Sequence, residues 1–248
     1  MFIILSLPLH EYIDAVSKAT TVKEVHDACS GVCGYFEFDF FLYAAMMPTS
    51  FVNPNIINIS GYPDEWREVY KNEEYMKVDP SVAYCTRNIV PVAWDKLAPH
   101  KQESKAAWDM LGEARGYGLR SGVSFPLHSP TGEAAMLSFV VDEEHKDAKA
   151  KIEHAMPHVH LFNAYMHEAV RKIFNADSVS IAKLTEREKQ CLLWMAEGKT
   201  AWETGRILNI SERTVTFHMQ NTVEKLQVVN RQQAVARAVS LGLISLQV

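Results

Sequence analysis

Residues Leu184–Leu226 read LTEREKQCLLWMAEGKTAWETGRILNISERTVTFHMQNTVEKL, three short helical patterns separated by two turn signals. Thr185 with Glu188 three residues later is the arrangement of a helix N-cap and capping box. Leu192, Leu193, Met195 and Ala196 then give an apolar face at helical spacing, and Gly198 supplies a left-handed stop. Lys199 and Thr200 open a second helix, whose apolar positions are Trp202, Ile207 and Leu208. Asn209-Ile210 makes a turn, and Ser211 caps a third helix.

In that third helix Val215, Met219, Val223 and Leu226 recur at four- and three-residue steps, a narrow stripe expected to be buried. Thr214, Thr216, His218, Gln220, Asn221, Thr222 and Lys225 fill the remaining positions. Such a helix can pack by one side and hold out donors and acceptors on the other, as base reading in the major groove requires. An ordinary amphipathic helix of a bundle would look the same by periodicity. The whole stretch, as T-x-R-E-x-x-x-L-x-x-x-A-x-G-K-T followed by I-S-E-x-T-V-x-x-H-x-x-N and K-L, resembles the C-terminal helix-turn-helix of the LuxR family. The resemblance implies a DNA-binding domain. Within it Thr216 and Gln220 are expected at base edges and Asn221 at bases or phosphate. Lys199, Arg213 and Lys225 are expected at phosphates, which position without specifying. Thr200 and Thr214 complete the candidate set.

The chain has 248 residues, 48% of them hydrophobic and 22% charged, with a formal net charge of −5. That length suits one large or two modest domains. Residues 1–176 hold 16 Lys and Arg against 23 Asp and Glu, whereas residues 177–248 hold 9 against 7. The small basic excess therefore lies in the segment that would meet phosphate. It is weak for a monomeric binder, and a homodimer summing two sets of phosphate contacts is the natural remedy. No apolar run reaches the roughly 18 residues of a membrane span. Met1–Leu5 is apolar but lacks a basic flank and a cleavage site, so no signal peptide is expected. Cys29, Cys33, Cys85 and Cys191 follow no metal or disulfide spacing, which points to reduced thiols and a cytoplasmic protein.

Upstream, residues 9–19 and 21–34 read as helices, 38–47 and 56–59 as strands, and 64–72 as a helix entered through Pro63. Asp79-Pro80 opens a further short helix, and 102–115 is amphipathic. Strands at 122–127 and 134–141 flank a hairpin signal, His128 to Glu133. Residues 143–174 form one long helix, interrupted or kinked at Pro157. The order implies an α+β chain: an α/β/α sandwich with an antiparallel sheet in residues 1–174, a linker at 175–182 (NADSVSIA), and an all-α, four-helix domain in residues 183–248.

One upstream segment is unusual: GYPDEWREVY (61–70), then Val78-Asp79-Pro80, then Pro91-Val92-Ala93-Trp94. Trp66 and Tyr70 lie four apart and share a helical face, with Tyr62 and Arg67 nearby. Core aromatics, an N-capping Asp79 and a solvated Arg67 are the more ordinary explanation of such a pattern, because aromatic stripes at helical spacing are usually packing. The pattern is, however, similar to the autoinducer-binding domain of LuxR-type regulators, whose characteristic positions fall on Trp66, Tyr70, Asp79-Pro80, Trp94 and Gly122. That resemblance implies an N-acyl-homoserine lactone as ligand, and no other cofactor. A lactone amide offers an N–H and a carbonyl, and the ring a second carbonyl, each costly to bury unpaired. Asp79 would accept the amide N–H, Trp66 would donate to the ring carbonyl, and Tyr62 and Ser138 to the amide carbonyl. Trp94 would wall the ring and Tyr70 the start of the acyl chain. Strand alternation groups Tyr43, Ala45 and Met47, and Met136 with Ala134; the resemblance implies that these faces, together with Val82 and Met76, border the tail. So crowded a pocket suits a short or medium acyl chain, with Arg67 helping a 3-oxo group through water.

His154 and His158 have i,i+4 spacing, but no acidic partner follows at motif spacing and no metal is expected. The function expected is therefore a ligand-responsive transcription factor binding a palindromic double-stranded DNA site as a dimer. RNA polymerase is a further candidate partner, and no membrane is involved. A LuxR-type regulator of another small molecule, and a lactone-processing enzyme using Asp79 as general base, are the alternatives.

Overall fold

A computed structural model describes residues 8–47, 54–97, 104–129, 132–177 and 183–244. The chain forms two compact units whose main bodies part between residues 177 and 178. The Met1–Leu5 run and positions 178–182 of the expected linker lie outside the described residues.

The first unit runs α1 (Leu9–Lys18), α2 (Val22–Tyr35), β1 (Phe40–Met47), β2 (Asn55–Ser60), α3 (Asp64–Asn72), α4 (Pro80–Cys85), β3 (Val92–Ala93), α5 (Lys105–Gly116), β4 (Ser121–His128), β5 (Ala134–Val141) and α6 (His145–Asp177). Its five strands form one antiparallel sheet in the order β2-β1-β5-β4-β3. Thr21 and Glu24 close a capping box on α2, which fixes where the chain turns inward. Phe41, Tyr43, Ala45 and Met47 of β1 face one side and bury against α1, α2 and α6. From α6 that core takes Ile152, Val159, Phe162, Met166 and Val170, a helical stripe of large side chains each worth about 1.5–3 kcal/mol when buried. The opposite face of the sheet is covered by α3, α4 and α5, with Trp66, Met110 and Val140 at the centre. This is the α/β/α sandwich the element order implied.

In α6 the helix is not interrupted at Pro157, where an interruption or kink is expected, and it continues to Asp177, three residues into the stretch expected as linker. Pro157 deprives the carbonyl of Glu153 of its partner, but both residues are exposed, so water can replace the lost bond.

The second unit is α7 (Glu186–Ala196), α8 (Ala201–Leu208), α9 (Glu212–Lys225) and α10 (Arg231–Ser240). Capping boxes at Thr185/Glu188 and Thr200/Glu203 start α7 and α8, and Ser211 caps α9. Gly198 and Asn209 adopt the left-handed conformation that ends α7 and α8. The core holds Leu184, Cys191, Leu192, Val215, Met219, Leu226, Ala234 and Ala238. Burial differs from the expected pattern in α8 and α9. Trp202 and Ile207 are exposed, and Thr204 and Gly205 are the buried residues of α8. A Cβ on Gly205 would meet the carbonyl oxygen of Ile210 at 2.8 Å; a backbone approach, not an apolar side chain, closes α8 on the turn. In α9 Thr222 is buried and Val223 only half-buried; the buried Thr222 hydroxyl is satisfied by donating to the His218 carbonyl at 2.8 Å.

Candidate functional site

A cavity of about 790 Å³ lies between the sheet and helices α3 to α5, within the range usual for small-molecule sites. Tyr62, Trp66, Arg67, Tyr70, Asp79, Trp94, Met136 and Ser138 all line it. Asp79 stands at the start of α4, where its Oδ1 accepts from the Ser81 amide at 2.7 Å and the Ser81 hydroxyl at 2.6 Å. Its Oδ2 accepts from the Tyr70 hydroxyl at 2.9 Å. A carboxylate offers about four lone-pair sites, so one acceptor position is open for a further donor. Burial first, and then the Asp79 charge, push both the Tyr62 and Tyr70 hydroxyls well above the ordinary tyrosine value. They remain protonated donors.

Ser138 sits opposite Ser124 across β5 and β4, both fully buried, with their oxygens 2.7 Å apart. The Trp94 indole N–H donates to Ser124 Oγ at 2.9 Å. Because an indole only donates, Ser124 accepts there and can pass its own proton to Ser138. That leaves the Ser138 proton for the cavity. Trp94 also lies over Gly122, where a Cβ would come within 2.9 Å of both the indole and the Phe139 carbonyl oxygen. Trp66 is 3% exposed and held by the rings of Tyr70, Tyr75 and Tyr117 at 5.4–5.9 Å. Arg67 is paired with Asp64 at the rim.

Tyr43 and Met47 do not reach this cavity. Tyr43 is fully buried on the helical side, its hydroxyl 2.7 Å from His167 Nδ1 on α6, and Met47 belongs to the same core, as does Ala45. Leu42 is the cavity residue of β1, being paired with Ser138 in the register, as Ala44 is with Met136. Directly paired residues share a face, so the odd positions of β1 must point away. Val82 is not among the lining residues, whereas Met76 is. Ser124, Ser81, Asn58 and Ser60 were missed from sequence. Only Ser81 carried a signal, lying two residues after the Asp of Asp79-Pro80, the spacing of a side-chain-to-backbone turn.

Among the described residues no group of three or more His, Cys, Asp or Glu is positioned for a metal. His154 and His158 are exposed, and the His158 Nδ1 engages the His154 carbonyl.

In the second unit, α9 presents Arg213, Thr216 and Gln220 to solvent, with Thr214 and Asn221 half-exposed. Lys199 and Thr200 are exposed at the start of α8, where Thr200 is engaged in its capping box. Lys225 is engaged within the fold. Its ammonium lies 2.8 Å from both carboxylate oxygens of Glu188, a side chain only 3% exposed. It thus ties α9 to α7. Burial raises the Glu188 pKa, but Lys225 and the Thr185 amide outweigh it and hold the carboxyl below the usual carboxylate range.

A closed sandwich with a polar-headed cavity, joined to a helix-turn-helix, defines a ligand sensor with a DNA-binding output. Residues 21–170 match the autoinducer binding domain family, and residues 182–238 the luxR family of bacterial regulatory proteins. The chain belongs to the LuxR family. It is 32% identical to the transcriptional activator protein LuxR of Aliivibrio fischeri over 233 residues, covering 94% of this chain and 93% of that one. It is 33% identical to the transcriptional activator protein AnoR of Acinetobacter nosocomialis, covering 93% and 98%. The crystal structure of SdiA from Escherichia coli is similar at a TM-score of 0.74 and 26% identity, covering 96% of this chain and 98% of that one. A second SdiA structure, in complex with octanoyl-rac-glycerol, matches at a TM-score of 0.73.

Proposed function

We propose that this chain is a transcriptional activator that binds an N-acyl-homoserine lactone in the sensor cavity and a palindromic promoter site through α9. It acts as a homodimer in the cytoplasm and is not an enzyme. The observation that carries the reading is Asp79, a carboxylate at the cavity wall with three donors already on it and one acceptor position left. An amide N–H completes it. Tyr62 and Ser138 donate to the amide carbonyl, Trp66 to the ring carbonyl, and Trp94 packs over the ring. A cavity of about 790 Å³, with Leu42 and not Tyr43 or Met47 on its β1 wall, takes a short or medium acyl chain. Arg67, paired with Asp64, is left a rim role.

Dimerisation through the exposed side of α6, where Leu161 and Tyr165 are 51% and 45% exposed, and through α10 would present two copies of α9 to successive turns of the major groove. A second reading, a LuxR-type regulator of another acylated small molecule, is favoured by the acylglycerol found with SdiA. An acylglycerol offers hydroxyls to Asp79 but no amide N–H.

A promoter reporter separates these. Asp79→Asn replaces a pure acceptor by a group that can present a donor, and is expected to shift the lactone dose-response at least about 100-fold, the effect of one lost charged hydrogen bond of about 3 kcal/mol. An unchanged dose-response would refute the lactone role of Asp79. Activation by octanoylglycerol in place of lactones would favour the second reading.

A further inference from the structure

The outward face of α9 carries an apolar residue, Phe217, with Glu224 two turns further along the same face. Phe217 is 57% exposed, whereas Val215, Met219, Thr222 and Leu226 of the same helix are buried. With about 100° of turn per residue, those four cluster in a narrow arc and Phe217 points almost directly away from them. Arg213 precedes it by one turn, and Gln220 and Asn221 follow it by one turn. Thr216 lies on the flank by the same reckoning, and its hydroxyl donates back to the Glu212 carbonyl at 3.0 Å. The crest of the reading helix is thus an aromatic ring set among hydrogen-bonding side chains, in its N-terminal half, where such helices meet base edges.

A ring held in water at that place gains only if apolar surface meets it. In the major groove the apolar base substituent is the C5-methyl group of thymine, a known partner of Phe. We propose that Phe217 reads thymine by packing on that methyl, while Arg213 and Gln220 supply hydrogen bonds to either side. This rests on the DNA-binding reading of α9.

The test begins by selecting duplexes from a randomised library with the full chain, expressed in the presence of N-octanoyl-homoserine lactone. Each thymine of the recovered site is then replaced in turn by deoxyuridine, which removes only the methyl group. At one or more positions the replacement should weaken wild-type binding about fourfold, the effect of one methyl lost from an apolar contact. Phe217→Ala should bind the thymine and uracil duplexes equally, and Phe217→Leu should keep part of the discrimination. An unchanged circular dichroism melt would show both variants folded, as expected for an exposed side chain. A wild type indifferent to every thymine methyl, or discrimination that persists in Phe217→Ala, would overturn the proposal. A protein partner docked on Phe217 would give the first of those results. Failure of the wild-type chain to select any sequence would overturn the DNA-binding reading together with it.

Discussion

Under the proposed function Asp79 has two tasks, capping α4 and holding the ligand, that its position makes compatible. One oxygen caps α4 through Ser81 and the other is steadied by Tyr70, so the side chain is already oriented before ligand arrives and loses little freedom on binding. The capping task was legible from Asp-Pro alone; the ligand task came from the resemblance. Ser124 was legible from neither, because it lies in a strand whose residues 121–126 are all buried and shows no alternation. Its role in the Trp94–Ser124–Ser138 chain gives a test. Ser124→Ala leaves the Trp94 N–H without its acceptor and Ser138 without an orienting donor, and is expected to weaken lactone affinity about tenfold, roughly one hydrogen bond of 1–1.5 kcal/mol, in a calorimetric titration. An unchanged affinity would remove the chain from the account. Gly122→Ala should be worse tolerated, since the added methyl meets both the Trp94 ring and a backbone carbonyl.

At the scale of elements, the helices and four of the five strands followed from caps, turns and periodicity. The two-residue β3 (Val92–Ala93) is too short to show a period and was not expected, and which face of each strand meets the cavity was not legible either. Tyr43 and Met136 were grouped by alternation within separate strands, yet alternation says only that neighbours oppose one another. The register that pairs Ala44 with Met136 decides the parity, and register is a property of two strands, not one. Tyr43→Phe therefore probes the element and not the site. It should lower stability by about 1–2 kcal/mol through the lost hydrogen bond to His167 and leave lactone affinity unchanged; a tenfold loss of affinity would return Tyr43 to the cavity. The same limit explains Lys225. A lysine near the end of a reading helix looks free in sequence, because its partner Glu188 lies 37 positions earlier on α7. Glu188→Gln is expected to destabilise the helix-turn-helix by about 1–3 kcal/mol. The sign of the pH effect follows from the depressed carboxyl. Glu188 contributes stability above its ordinary value of 4.5 and loses it as pH falls through the lower value it has in the fold. Acid melts of wild type and Glu188→Gln should converge in that window; a constant gap down to the acid limit would contradict the pairing.

At the scale of the whole molecule, the two units divide sensing from output, and both halves of that division could be read from the chain. The LuxR-like segments carried the family, and the small basic excess after residue 176 matched the DNA-binding unit. What sequence could not carry was the volume of the cavity, set by side chains from many separate elements, Leu42, Asn58, Trp66, Ser81, Met110 and Ser138 among them. A ligand enclosed there binds the folded state alone and stabilises it by mass action. At a lactone concentration about 100 times Kd the stabilisation is about 2.7 kcal/mol, expected to raise the sensor's melting temperature by about 5–10 °C in differential scanning fluorimetry. No shift with any acylated lactone would place the ligand elsewhere. The most direct measurement is mass spectrometry of small molecules co-purified with wild type and Asp79→Asn after expression beside a panel of N-acyl-homoserine lactones. We expect an intact lactone of short or medium chain on the wild type and a strongly reduced amount on a folded Asp79→Asn. Recovery of ring-opened acid, of long-chain lactones alone, or of equal amounts on both proteins would contradict the account.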